Sequence, residues 1–155
     1  MKNSKIIIDA INPALKSHGF KKKSSNWYLY KSEVVLVVNL QKSQYGNQFY
    51  INCAVLVKAL LDLEFPQEEK CHIRFRLDSN GTDAPENRVK LLLDLENDSI
   101  SDEDRKSELK KLITSYVLPH LEKCSTLSGI TEMVNSEKFK GWAIRKNLKD
   151  LIAAT

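Results

Sequence analysis

The sequence predicts one α+β domain spanning residues 1–155, with a twisted antiparallel sheet of about five strands packed on one side by N-terminal and C-terminal helices. Apolar residues recur at helical spacing near both ends of the chain, whereas the segments between alternate with a period of two. Turn residues separate the alternating segments closely, as in a meander. A chain of 155 residues with 42% hydrophobic content is also the size of one domain with its own core.

The first element is an amphipathic helix. Ile7, Ile11 and Leu15 lie at four-residue spacing, and Gly19 is a typical residue just beyond a helix end. Pro13 lies inside this pattern and lacks a backbone donor. We therefore expect a kink there, or a second start with Asn12 as the cap.

Three strands are predicted next. A polar turn over residues 21–26 leads into a strand at 27–31, which is rich in aromatic residues. In the first half of residues 34–41 both the odd and the even positions are apolar. This pattern indicates an internal strand covered on both sides. After the turn signal at 44–47, residues 49–57 form another strong strand pattern.

The middle of the chain is less regular. Residues 59–64 either continue a strand or form a short helix before Pro66. Residues 71–78 and 88–95 both alternate apolar and polar side chains, so we predict a strand in each. A loop that contains Gly81 and Pro85 would join them.

The last third of the chain is predicted to be helical. From Asp102 the apolar period changes to that of a helix, with a bend expected at Pro119. Two further helices are predicted at 126–134 and at 136–153, the latter capped by Ser136.

Four short segments carry a resemblance to a known family. They are Pro13-Ala14-Leu15-Lys16-Ser17-His18-Gly19-Phe20-Lys21-Lys22, Val38-Asn39-Leu40-Gln41-Lys42-Ser43, Phe49-Tyr50-Ile51-Asn52 and Tyr116-Val117-Leu118-Pro119-His120-Leu121. In these segments the chain resembles the family catalogued as Domain of Unknown Function 4304. The resemblance implies the same α+β fold, and it transfers no catalytic residue because the family carries no agreed activity.

Composition predicts a cytoplasmic protein with reduced thiols. Cys53, Cys71 and Cys124 are odd in number, and no CxxC spacing suggests a zinc or redox site. Asp9 and Asn12 interrupt the only apolar run near the N-terminus, so no membrane segment is expected. The net charge of +4 conceals basic blocks at 1–31 and 105–155 and an acidic block at 62–104, which we expect to fold into a mixed, solvated surface.

No catalytic pattern emerges, so the prediction is a protein without cofactors that is not an enzyme. His18, His72 and His120 have no metal-ligand spacing, and adjacent Cys71 and His72 would face opposite sides of a strand. The acidic stretch 96–104 lacks the central glycine of a calcium loop and fits a linker whose last acids precede a helix. An unrecognised enzyme that uses Cys53, Cys124 or scattered carboxylates is kept as an alternative.

Strand parity suggests a candidate binding face. If the apolar parity faces the helices, the opposite face carries tyrosines, amides and cations, which are common at protein interfaces and on surfaces that stack bases. An ordinary solvated sheet face is the simpler interpretation, and a helix over 59–70 would turn the tyrosines into core. The predicted binding residues are Tyr28, Tyr30, Asn39, Gln41, Tyr50, Asn52, Arg74 and Arg76, with Arg88 and Lys90 on the same face.

The first functional hypothesis is a non-enzymatic module that binds a partner protein, with an immunity-type protein that neutralises a cognate toxin as the analogy. The alternative is RNA or single-stranded DNA binding, in which the tyrosines stack on bases near Lys21, Lys22 and Lys23. In either case we expect a monomer or weak dimer that does not enter a membrane.

Overall fold

A computed structural model of the protein describes residues 3–136, 139 and 141–155, and the predicted α+β class is confirmed. In these residues six antiparallel strands form one sheet in the order β1-β2-β3-β4-β5-β6, so every strand pairs with its neighbours in sequence. Each edge of the sheet ends in one short strand that the sequence did not predict. The strands are β1 (Lys21–Lys23), β2 (Asn26–Tyr30), β3 (Val34–Lys42), β4 (Phe49–Val57), β5 (Ile73–Arg76) and β6 (Ala143–Ile144).

Helices from both ends of the chain share the main hydrophobic core with one face of the sheet. No described helix has the length and apolar content to cross a membrane. The helices are α1 (Lys5–Ser17), α2 (Ser79–Thr82), α3 (Glu86–Leu93), α4 (Asp102–Leu112), α5 (Leu118–Lys123), α6 (Leu127–Asn135) and α7 (Lys146–Ala153), with a π turn at Ile113–Val117 and a 3-10 turn at Glu68–Lys70.

Helix α1 runs through Pro13 without a second start. Pro13 lies inside one continuous helix, and Asn12 is not a cap. The Asn12 carboxamide oxygen instead accepts a hydrogen bond from the indole nitrogen of Trp27 at 2.9 Å. Trp27 is fully buried, so this bond satisfies the one polar atom of its side chain and joins α1 to β2.

The other face of the sheet carries a second, smaller core. Its members alternate in sequence with residues of the main core, which confirms that the first half of β3 is covered on both sides. A segment over residues 58–72 crosses this face. It begins as a turn at 58–60 and continues without regular structure to the 3-10 turn, so neither the strand nor the helix considered for 59–64 is correct. The second core consists of Tyr28, Val35, Val37, Ala54, Leu56 and Cys71.

The predicted strand at 88–95 is wrong, because most of this segment belongs to α3. Val89, Leu92 and Leu93 are its buried residues, and they share one helical face at spacings of three and four. The alternation of Val89, Leu91 and Leu93 fitted a strand equally well, since a short apolar run does not separate the two periods. Arg88 contacts Glu108 of α4 instead of joining the sheet face, and Lys90 also lies in α3.

The predicted helix at 136–153 is also wrong in its first half. Ser136 ends α6 instead of capping a new helix, and residues Ala143–Ile144 add β6 to the edge of β5. Trp142 stacks on Phe75 with ring centroids 4.1 Å apart, which holds this segment against the sheet. Part of the predicted range, residues 137, 138 and 140, lies outside the described residues.

A π turn separates α4 from α5 just before Pro119, the position at which the sequence predicts a bend. The backbone N–H of Leu118 donates to the carbonyl of Ile113, five residues earlier. Pro119 has no N–H to offer to the preceding turn, and the wider turn accommodates its ring. At the start of α4, Ser101 caps the helix and three acids occupy the first turn, which confirms the interpretation of the acidic linker.

Candidate binding surface on the open side of the sheet

The strand register places the predicted residues on the face opposite the main core, in neighbouring rows. Asn26, Asn39, Asn52 and Arg76 are cross-strand partners in turn along one row. Gln41 pairs with Tyr50 in the next row, and Tyr28 and Arg74 belong to the row on the other side. The parity argument therefore assigned the face correctly, although it could not show what covers it.

The covering segment closes half of this face. Phe65 meets Tyr28 edge-on with ring centroids 5.7 Å apart, and Tyr28 is only 3% exposed. The Tyr30 hydroxyl donates to the Glu64 carbonyl at 2.6 Å. The prediction that Tyr28 is available for binding on this face is therefore wrong, because Tyr28 belongs to the second core.

Arg74 is also engaged within the covered half. Its guanidinium donates two hydrogen bonds to the Glu68 carboxylate, at 2.8 and 3.1 Å. This bidentate pair holds the 3-10 turn against β5. The contact raises the pKa of Arg74 further and neutralises its charge on this face.

The open half carries a chain of hydrogen-bonded amides, which we call the amide ladder: Asn26, Asn39, Gln41 and Asn52. The Asn39 amide donates to the Asn26 oxygen at 2.8 Å, and the Asn52 amide donates to the Asn39 oxygen at 3.0 Å. The Asn52 amide also donates to Gln41 at 2.8 Å. These bonds run across three strands and fix the orientation of each amide.

Arg76 ends the ladder and is held by it. Its Nε donates to the Asn52 oxygen at 3.0 Å, and its guanidinium lies over the ring of Tyr50, 4.3 Å from the centroid. The cation is paired with a ring and an amide instead of a carboxylate. The open half therefore presents a positive charge in a fixed position.

Exposed apolar side chains lie on the covering segment and at the adjoining end of β2. Tyr30, Leu61, Leu63 and Phe65 are 38–44% exposed, and we call these four residues the apolar patch. The Lys23 ammonium lies 3.6 Å from the Phe65 ring centroid, at the border between patch and ladder. Among the described residues the other exposed large hydrophobic is Tyr45, which is 89% exposed. Leu61, Leu63 and Phe65 belong to one short stretch of the chain, and the Tyr30 hydroxyl is bonded to the Glu64 carbonyl of that stretch.

Sequence reasoning missed three members of this patch. Leu61, Leu63 and Phe65 alternate with Asp62 and Glu64, which is the pattern of an extended segment with one apolar side. The signal was present in the sequence. The same alternation also fits the continuation of a strand, so the local pattern alone does not identify an extended surface segment.

The three cysteines lie in the interior. Burial raises the pKa of the Cys71 and Cys124 thiols to about 12, and the pKa of the Cys53 thiol well above its usual range. Thiols that stay protonated are weak nucleophiles. These environments weigh against the cysteine-based enzyme kept as an alternative.

The histidines are bound to backbone groups. His72 is buried, and its Nδ1 accepts a hydrogen bond from the Val57 N–H at 2.9 Å. Burial, and secondarily the nearby Arg145, lower the pKa of His72. Within the ranges that the structure describes, no group of three or more His, Cys, Asp or Glu side chains could hold a metal ion.

Comparison with known proteins gives one match. The model of a family described as "Domain of unknown function (DUF4304)" matches residues 11–123, which include β1 to β5 and all eight predicted binding residues. No curated protein and no solved structure matches the chain.

Proposed function

The chain belongs to the DUF4304 family, and from that premise we propose that it is a non-catalytic module that holds a partner protein against the open side of its sheet. The observation that carries the proposal is the concentration of exposed apolar side chains on residues 61–65 of the covering segment and on Tyr30, which is hydrogen-bonded to that segment. A monomeric surface usually carries such side chains singly, whereas a contiguous patch with a polar border is typical of an interaction site.

The surface has the composition of a protein interface. Tyrosine, phenylalanine and leucine supply apolar contact area, while the ladder and Arg76 offer amide and guanidinium groups at the border. Because Arg76 already stacks on Tyr50 and donates to Asn52, little side-chain freedom remains to be lost on binding. The finer proposal, an immunity-type role in which the partner is a toxin, rests on analogy between small α+β proteins.

The nucleic-acid alternative receives less support from the geometry. Bases stack on open aromatic faces, but Tyr28 is buried and one face of Tyr50 is occupied by Arg76. Arg74 is neutralised by Glu68, which leaves fewer cations for phosphates. An electrophoretic shift assay tests this alternative. Retention of oligonucleotides that falls steeply with salt would favour it over protein binding.

The test of the protein-binding proposal compares two matched variants in affinity capture from the source cells. In the first, Leu61→Ser is combined with Leu63→Ser, which removes apolar area from side chains already about two-fifths exposed. In the second, Tyr45→Ser removes the exposed hydrophobic that lies outside the patch. Thermal unfolding confirms that both variants keep the fold.

We expect a partner that the wild-type protein and Tyr45→Ser retain and that the patch variant loses, with affinity reduced at least about tenfold. Binding of the purified partner, measured by calorimetry, gives the ratio. A partner held equally well by both variants would contradict the assignment of the surface. Failure to recover any partner with the wild-type protein would contradict the proposed function itself.

A further inference from the structure

A cleft of about 220 Å³ lies on the helix side of the sheet, between α5 and the turn that joins β2 to β3. Leu29 and Leu36, which line it, are cross-strand partners on the parity of the main core. The cleft therefore opens away from the amide ladder and the apolar patch. A ligand in this cleft would therefore lie on the opposite side of the sheet from the proposed partner protein.

The floor of the cleft is apolar. Phe20, Leu36, Leu118 and Leu121 line it, and each is at most 9% exposed. The volume is well above what a single water molecule needs. This space suits a small organic molecule the size of a medium amino acid, and its floor favours an aliphatic or aromatic group.

Two residues with oppositely charged side chains line the cleft from different elements, and His18 lines it as well. Lys31 belongs to the β2–β3 turn and Glu122 to α5. Within the described part of the chain, the Lys31 ammonium and the Glu122 carboxylate take part in no ion pair. Among the described residues, the cleft thus offers one cationic and one anionic side chain that form no ion pair with each other or with a third residue.

The wall that carries Lys31 is held in place at its backbone. The Lys31 N–H donates to the Val34 carbonyl at 2.9 Å, which closes the turn tightly. In the same turn the Glu33 carboxylate accepts from the N–H of Leu127, at the start of α6, at 3.1 Å. The Lys31 carbonyl also accepts from the Lys58 ammonium. The turn is a rigid support for one side of the opening.

The opposite wall contains the π turn. Thr114 lines the cleft from it, and its hydroxyl donates back to the Lys110 and Lys111 carbonyls. Pro119, which follows the π turn, lines the cleft as well. Single π turns inside helices are frequent at functional sites, because they displace side chains that a regular helix would align.

We propose that this cleft binds a free α-amino acid with an apolar side chain. The Lys31 ammonium pairs with the ligand carboxylate, the Glu122 carboxylate pairs with the ligand ammonium, and the apolar floor receives the side chain. A ligand with only a carboxylate would pair with Lys31 and would be repelled by the like charge of Glu122. A ligand with only an amine would pair with Glu122 and would be repelled by Lys31. A zwitterion complements both walls at once.

The proposal is tested by NMR titration of the full-length protein with L-leucine and two analogues, each of which lacks one charged group. Isocaproate keeps the carboxylate and the isobutyl group, and isoamylamine keeps the amine and the isobutyl group. We expect leucine to bind at roughly 1 mM and to shift the amide signals of Lys31, Thr114, Leu118 and Glu122. Each analogue should bind about tenfold more weakly, as loss of one charged hydrogen bond implies.

Two variants separate the roles of the walls. Lys31→Met should weaken isocaproate and leave isoamylamine unchanged, whereas Glu122→Gln should weaken isoamylamine and leave isocaproate unchanged or improved. Both residues are exposed, so the fold does not depend on their charges. The matched controls are Lys106→Met and Glu132→Gln, at exposed positions outside the cleft.

The proposal is overturned if leucine causes no shifts at tens of millimolar, or if leucine and both analogues bind equally. It is also overturned if the wall variants act like their controls. Because the apolar patch lies on the other side of the sheet, loss of partner binding in the patch variant has no bearing on this result.

Discussion

Arg105 is a fully buried cation that holds the end of α3. Its guanidinium donates to the carbonyls of Leu91, Leu92 and Asp94 at 3.1, 2.6 and 3.2 Å, and to that of Asn97 at 2.7 Å. Carbonyls at a helix C-terminus carry partial negative charge and need donors. One side chain of α4 thereby organises the acidic linker that precedes its own helix.

Replacement of Arg105 by Met should lower the free energy of unfolding by about 3 kcal/mol or more, because several buried carbonyls lose their donor at once. Arg105→Lys should recover only part of this, since an ammonium has no fork to span four acceptors. Urea unfolding measures both variants. A loss below about 1 kcal/mol for Arg105→Met would mean that water replaces the guanidinium without cost.

His72 should make stability depend on pH. Its pKa is lowered by burial in the folded protein, so on acidification the unfolded chain takes up the proton first. The contribution of neutral His72 to the free energy of unfolding is fully present above the ordinary histidine pKa of about 6.5 and is lost as the pH falls below it. The Val57 N–H bound to Nδ1 opposes protonation of that nitrogen.

Urea unfolding between about pH 7.5 and pH 5 tests this assignment, since the window brackets the histidine pKa. We expect the wild-type free energy of unfolding to fall across the window. His72→Gln, whose amide oxygen can accept from Val57, should be less stable at the upper end and show a shallower slope. Parallel slopes for the two proteins would assign the pH dependence to other groups.

At the scale of elements, the segment that leads into β6 packs closely against the backbone of α2. Gly141 has a φ of +82°, and a Cβ there would lie 2.6 Å from the Asn80 carbonyl oxygen. Trp142, the next residue, donates its indole N–H to the Gly81 carbonyl at 2.6 Å. The close approach therefore positions the ring that stacks on Phe75.

Gly141→Ala should destabilise the protein by about 2 kcal/mol, because it combines a left-handed φ with a clash against backbone. Gly46→Ala is the matched control. Gly46 does not have a positive φ, and a Cβ there would meet only the Glu96 side chain at 3.4 Å. Its effect should stay within about 0.5 kcal/mol. Thermal unfolding followed by Trp fluorescence gives both values, and equal effects would refute the geometric argument.

Some elements could be predicted locally and others could not. The helical spacing of apolar residues in α1 and the strong strand patterns of β2, β3 and β4 are properties of each segment by itself. The sequence therefore predicted the positions of these elements well. Helix α3 was mistaken for a strand because Val89, Leu91 and Leu93 satisfy both periods, and the burial of Leu92 against other elements decides between them. In the last predicted helix, packing of Trp142 on Phe75 overrides the local pattern.

At the scale of the whole molecule, the sheet ends at two short edges. β1 consists of three exposed lysines, and β6 has two residues. Charged side chains on an edge strand discourage pairing with a second sheet. Lysines on β1 are consistent with the monomer or weak dimer expected from the sequence, which stays a prediction.

Replacement of Lys21 and Lys23 by Val should therefore increase self-association through β1. Sedimentation velocity over a range of protein concentrations should give a constant coefficient for the wild type and a rising one for the double variant. Lys106→Val, on the exposed surface of α4, is the control. Wild-type protein that dimerises as readily as the double variant would show that the lysines do not protect this edge.

The sequence alone determined the α+β class, the central strands and the side of the sheet on which the residues of β2 to β5 lie, because periodicity and turn chemistry act over a few neighbouring residues. Only the tertiary structure decided which half of the open face stays open and where the cleft forms. Those features arise from contacts between distant segments, such as Phe65 against Tyr28 and Glu33 against Leu127. No local pattern carries that information, since each partner is chosen by the packing of the whole chain.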